Sequence, residues 1–148
     1  MEPISRTKQL LAQLLRGENR VNMTPEEALA IADTPFNRTA LHGYPDTPEE
    51  ALLQPNQYHP LSPPAASSSE VRANAASTAA FGPSDPAWAQ YAAYAEQALD
   101  LARKRTPYTH YFAGEPPPWA ANLEGLTRIG SHYFGREKRR PKRKKVAK

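Results

Sequence analysis

The chain reads as α+β: a mainly helical body carrying a small antiparallel sheet. Two observations predict this. Apolar residues recur at helical spacing behind Ser and Thr-Pro-Glu-Glu starts, and two short Tyr/Phe runs, at 108–112 and 129–134, are bounded by Pro or Gly. A third observation marks what stays outside that body: a Pro/Ala/Ser-rich stretch in mid-chain and a run of Lys and Arg at the end.

A first helix is predicted over 5–16. Ser5 can cap it, Leu10, Leu11, Leu14 and Leu15 form one apolar stripe, and Gly17 stands where a left-handed residue would end it, leaving Glu18 just beyond. A second helix starts at Thr24-Pro25-Glu26-Glu27 and carries Ala28, Leu29, Ile31 and Ala32. There the hydroxyl caps, the proline fills the first turn and Glu27 closes a capping box. Thr47-Pro48-Glu49-Glu50 repeats the device before Ala51-Leu52-Leu53. The echo of TPEEAL at 24–29 and 47–52 is what capping chemistry alone produces, and it is not read as an internal repeat.

From 60 to 86 the apolar periodicity is lost, and the stretch reads as an irregular excursion or extended wrap outside the core. Trp88, Tyr91, Ala92, Ala95, Ala98, Leu99 and Ala102 then fall at helical spacing, which predicts a helix over about 86–104. The two aromatic runs that follow fit paired strands.

Composition bounds the rest. A chain of 148 residues is one domain's worth, and 16 prolines with 39% hydrophobic residues predict a small folded part with marginal burial. With no cysteine there is neither a disulfide frame nor a thiolate metal site. Residues 1–6 show no apolar run or cleavage site, so export through a signal peptide is not expected, and no stretch approaches bilayer-spanning length. Charge is split. Residues 136–148 hold nine Lys/Arg and one acid, a net +8, which leaves ten basic and fourteen acidic side chains, a net −4, in 1–135. The tail is too charged, and too interrupted by Pro141, to pack, and is expected to be solvated.

Five short motifs appear in order. Gly17-Glu18 follows the first helix; Asn37-Arg38 comes nineteen residues after Glu18; Pro55-Asn56-Gln57-Tyr58 comes third; Thr109-His110-Tyr111-Phe112 is the first aromatic run; and Pro116-Pro117-Pro118-Trp119-Ala120 leads to Ile129-Gly130-Ser131-His132-Tyr133-Phe134. This order resembles that of the SleB-type cell wall hydrolases. Their pattern opens on "GEarGE", passes through "NR" and "QF/QY", and closes from an aromatic strand through a Pro-Trp loop to "IGxHxF". The closing run is the most distinctive part. The chain departs from the pattern at three places: Asn19-Arg20-Val21-Asn22 replaces the second acid, Arg105-Thr106-Pro107 replaces the glycines before the aromatic strand, and the Ala/Ser-rich stretch is inserted.

The resemblance implies a lysozyme-like cell wall hydrolase domain over 1–135, with 60–86 as an insertion and 136–148 as a basic tail. It implies a peptidoglycan lytic transglycosylase, in which one Glu protonates the bridge oxygen and then deprotonates the sugar's own 6-hydroxyl to leave an anhydro-muramyl end. Such an acid needs a raised pKa, hence an apolar and partly dry setting. Glu18 is the expected catalytic acid, because Glu26, Glu27, Glu49 and Glu50 read as capping or surface residues and Glu96 and Asp100 lie on a later helix. The alternative is that Glu18 is a polar residue after a helix cap.

The expected substrate-binding set is Asn37, Gln57, Tyr58, Thr109, Tyr111, Trp119 and His132. Tyr58 and Tyr111 either stack on pyranose rings or fill a sheet core. Asn37 and Gln57 either bind acetamido groups or tie loops. Trp119 also suits a plug under a loop, and His132 a hydrogen-bonded structural histidine. Histidines 42, 59, 110 and 132 lack a close ligand spacing, so neither metal nor cofactor is expected, and there is no nucleophile elbow, P-loop or dinucleotide fingerprint.

The expected partner is therefore the glycan strand of peptidoglycan, with the tail free to contact DNA or another anionic polymer. A cell wall domain on a short chain suggests a bacteriophage protein, carried in the virion beside other subunits or held in the host cytoplasm before lysis, and acting on the cell wall. Two other classes remain: a structural virion protein whose hydrolase domain has lost its chemistry, and a basic-tailed nucleic-acid-associated protein.

Overall fold

Six consecutive side chains of the first helix, Leu10, Leu11, Ala12, Gln13, Leu14 and Leu15, are buried, so this helix is enclosed on all sides and does not present one stripe. The structure, a computed structural model, describes residues 5–18, 23–54, 57–58, 60–61 and 68–138. Residues 19–22 after Glu18, the 62–67 part of the Pro/Ala/Ser-rich stretch and the tail from 139 onward lie outside the described residues. The element order is α1 (Arg6–Glu18), α2 (Pro25–Arg38), α3 (Pro48–Leu52), α4 (Ser69–Ala79), α5 (Trp88–Ala98), β1 (His110–Phe112), a 3-10 turn (Pro118–Asn122), β2 (Leu123–Ile129) and β3 (His132–Glu137). The chain is thus α+β, mainly helical with a small antiparallel sheet.

Helix α1 is the hub, touching α2, α3, α4 and α5. Each of its buried leucines contributes about 1.5–3 kcal/mol of transfer free energy. Its buried amide is satisfied: Gln13 Nε2 donates to the carbonyls of Ala79 and Phe81, both at 3.3 Å, and so ties down the end of α4. The helix does not stop before Gly17. It runs through Glu18, and Gly17 is not among the residues with positive φ. Gly17 is instead a point of close approach, since a Cβ there would lie 2.5 Å from Pro60 Cβ and 3.1 Å from Thr78 Oγ1.

Both Thr-Pro-Glu-Glu starts are N-caps. Glu27 N–H donates to Thr24 Oγ1 at 3.3 Å and Glu50 N–H to Thr47 Oγ1 at 3.2 Å. Helix α2 carries Pro35 in its interior, which removes the N–H that would bond the Ile31 carbonyl. The Thr34 hydroxyl supplies the missing donor, at 2.8 Å from Ile31 O. Asp33, fully buried on α2, gathers the chain that leads to the sheet. Its carboxylate takes Arg103, Arg105 Nη1 at 3.0 Å, and the N–H and hydroxyl of Thr106 at 2.9 and 3.0 Å.

Two sequence expectations are corrected here. The stretch 60–86 is not wholly irregular, because residues 69–79 form α4. Its alanines have high helix propensity but no apolar periodicity, so a periodicity reading misses it. The helix expected over 86–104 ends at Ala98, after which 99–107 turns toward Asp33.

Strand order is β1-β3-β2, all antiparallel, with β3 in the centre. The two aromatic runs do pair, in the register Tyr111↔Phe134 and Phe112↔Tyr133. The strand over 123–129 was not anticipated. It is an edge with residues 124–128 all exposed, and Gly125 (φ 65) lies in its bulge, so no buried face advertises it. Strand alternation sorts the aromatics. Tyr111, His132 and Phe134 share one face, against the helical core, while Phe112 and Tyr133 stack on the other beside Trp119. Arg136 and Glu137, assigned from sequence to the tail, belong to β3. Among the described residues, no helix is long and apolar enough to cross a membrane.

Candidate active site

The end of α1, the first turn of α2 and the β2–β3 turn converge on one imidazole. Glu18 is the last residue of α1, Glu27 lies in the first turn of α2, and Ser131-His132 begins β3. His132 is 1% exposed. Its Nδ1 stands 2.8 Å from Glu27 Oε2 and its Nε2 3.4 Å from Glu18 Oε2. The Glu27 contact is a hydrogen bond; the Glu18 contact is an ion pair when His132 is protonated, and its geometry leaves Nε2 without a hydrogen-bond partner among the described residues.

Glu27 corrects the sequence reading. The sequence reads it as a capping residue, and its N–H does make half of a capping box, but its side chain points inward and the residue is 1% exposed. Oε2 accepts from Ser131 N–H at 2.7 Å and from Ser131 Oγ at 3.0 Å, and lies 2.8 Å from His132 Nδ1. An oxygen that already takes both Ser131 donors is an acceptor toward Nδ1, which draws a ring proton to that nitrogen. Gly130 makes the wrapping possible. Its φ is 63°, and a Cβ would fall 2.6 Å from the Glu27 carboxyl carbon. The matching capping residue on α3 behaves as expected: Glu50 is exposed and accepts from the Thr47 hydroxyl at 3.0 Å.

Electrostatics follow from this enclosure. Burial pushes the His132 pKa down, but Glu18 and Glu27 outweigh it, and the imidazole lies above its ordinary value. The Tyr111 ring meets His132 edge-on, with centroids 5.5 Å apart. Burial, and next the charge of Glu18, drive the Tyr111 phenol well above the usual tyrosine value. Burial likewise raises Tyr58, with Glu18 adding to the rise and Arg38 and Thr34 opposing it. Both phenols are therefore neutral.

The other expected residues divide into two groups. Tyr58 is 1% exposed; its hydroxyl lies 2.9 Å from Thr34 Oγ1, and the Arg38 guanidinium stacks 4.7 Å from its ring centre. It is a core residue beside Glu18. Gln57 accepts from Arg38 Nη1 at 3.2 Å, and the same arginine donates through Nε to Thr109 O at 2.7 Å. Asn37 ties the chain before β1, donating to the carbonyls of Thr106 and Tyr108 at 2.6 and 2.8 Å.

Thr109 and Trp119 belong to a second cluster. Thr109 Oγ1 lies 2.9 Å from His110 Nδ1 and accepts from Glu137 N–H at 2.8 Å; Tyr44 OH donates to Glu137 at 2.5 Å. Trp119 packs on His110 and Phe112 and is 42% exposed, so it is a surface ring and not a plug under a loop. A shallow cavity of about 350 Å³ lies here, lined by Asn37, Thr109, Glu124 and Glu137 among others, and not beside Glu18. The structure thus brings Glu18, Tyr58, Tyr111 and His132 together, and places Asn37, Thr109 and Trp119 apart from them.

Comparison with protein-family models, with curated proteins and with solved structures finds no match to this chain.

Proposed function

We propose that the chain is a peptidoglycan-cleaving glycosidase of the lytic transglycosylase type, with Glu18 as acid and then base. The observation that carries this reading is the contact of Glu18 with His132, two residues from motifs far apart in sequence. A carboxyl group with 14% of its side chain exposed, next to an imidazole with raised pKa and two neutral phenols, is equipped to gain and lose a proton out of bulk water. In the reaction, Glu18 protonates the bridge oxygen as the C1–O bond breaks, then takes the proton of the 6-hydroxyl as the C1–O6 bond forms. No water is consumed and the carboxyl returns to its starting state. One carboxyl group suffices, unlike in hydrolases that flank the bond with two.

The test is incubation of the full chain with purified peptidoglycan and mass analysis of the released muropeptides. Ends carrying anhydro-muramic acid are expected, and reducing ends would point to attack by water. A second reading, a hydrolase-like domain kept as a structural part of a phage particle, is favoured by the core position of Tyr58. Release of no product by a folded chain supports that reading.

A further inference from the structure

We propose that Glu27 is a positioning residue acting through His132, and that His132 stores the proton which Glu18 delivers. The proposal rests on the glycosidase reading of Glu18 and deepens it. Three geometric facts carry it. Glu27 holds Nδ1, so the remaining ring nitrogen, Nε2, is directed at Glu18. Nε2 is buried and has no hydrogen-bond partner among the described residues. The turn that brings His132 there is built around the Glu27 carboxylate, through both donors of Ser131 and through a glycine that leaves no room for a side chain. A merely structural carboxylate at this place would not require the ring's second nitrogen to face another carboxylate.

The groups facing His132 come from every side: Glu18 from α1, Glu27 from α2, the Tyr111 ring from β1, and the Ser131 hydroxyl, 3.4 Å from Nδ1, from the turn. Behind Tyr111 lies Tyr58, with ring centroids 6.3 Å apart, and Arg38 stacks on Tyr58. Two carboxyl groups against one imidazole favour its protonated form, with the exchangeable proton on Nε2, in the same direction as the raised histidine pKa. The proton balance then closes within the site. The Nε2 proton passes to Glu18 and from it to the departing bridge oxygen as C1–O breaks. The 6-hydroxyl proton passes to Glu18 and back to Nε2 as C1–O6 forms. Glu18 need not be a free acid in the resting protein, which answers how a carboxyl beside a cation serves as a proton donor.

The store is filled below the His132 pKa and emptied above it, so cleavage should fall on the alkaline side as His132 loses its proton. The experiment follows peptidoglycan cleavage by the full chain across pH, and titrates His132 by NMR in the same samples with histidine-selective labelling. The alkaline limb and the His132 titration should coincide. Glu27→Gln keeps the shape and an acceptor for Ser131 but removes the charge, and should move both downward together, on the order of one pH unit or more. Glu18→Gln should lower the His132 titration as well. A limb unrelated to the titration in the wild type overturns the proposal, even if Glu27→Gln fails to fold. So does a folded Glu27→Gln protein with an unmoved limb. Either result leaves the glycosidase reading standing. A folded wild type that releases no product at any pH ends the glycosidase reading and the proton store with it, whether or not His132 titrates with Glu18.

Discussion

Single side chains at the centre of this protein do several jobs at once, and their replacement should separate them. Glu18→Gln should keep the fold and reduce cleavage on the order of 100-fold or more, because the amide has the shape but no proton to give. Glu26→Gln is the control: that side chain is exposed, and cleavage should stay within a few-fold of wild type. Gly130→Ala should destabilise by about 1–3 kcal/mol in chemical denaturation, since it demands positive φ of alanine and displaces the Glu27 carboxylate. The His132 ion pairs carry their own pH signature. The folded pKa lies above the unfolded value, so the stability they provide is fully present below the unfolded histidine pKa and is lost as pH rises through the folded one. The melting temperature of the wild type should fall across that interval, and that of Glu27→Gln should fall less and at lower pH.

Helix ends and turns show why composition alone misjudged some elements. Gly17 reads as a helix stop, yet it lies inside α1, with Pro60 and Thr78 occupying the space a side chain there would need. The consequence is testable and opposite to propensity. Replacing an interior helical glycine by alanine ordinarily stabilises by about 0.8–1 kcal/mol. Gly17→Ala should instead lower stability, and a rise in melting temperature would show that Pro60 yields. Helix α4 presents the reverse case: among its described side chains only Thr78 is buried, and Gln13 of α1 ties down its end. Its amides should exchange with deuterium faster than those of α1, whose circumference is enclosed.

The boundary between body and tail is set by the sheet and not by the charge run. Glu137 of β3 pairs with Leu123 of β2, donates its N–H to Thr109 and accepts from Tyr44, so a chain cut before 136 should melt measurably lower. Removing 139–148 takes away seven Lys/Arg and no acid, and should leave the melting temperature nearly unchanged, because so charged a stretch buries little. The same deletion should weaken binding to DNA or anionic wall polymer most at low salt, where charge contacts are least screened. Binding that survives the deletion would place the contact in the body instead.

Much was legible along the chain because it depends on neighbours in sequence. The Thr-Pro-Glu-Glu caps, the leucines of α1, the aromatic strands and the mainly helical α+β class rest on residues within a few positions of each other. Gly17-Glu18 is likewise a local motif, and it is the source of the proposal for Glu18. What only the tertiary structure decided is the fate of side chains whose partners are remote. Glu27 and Glu50 occupy the same place in two nearly identical strings, yet one is buried under Ser131 and His132, more than a hundred residues away, while the other remains at the surface. No periodicity distinguishes them, because the difference lies in which turn of chain folds over each helix start. His132 follows the same logic. A lone histidine on a strand says nothing of its charge until two helix ends bring a carboxylate to each of its nitrogens.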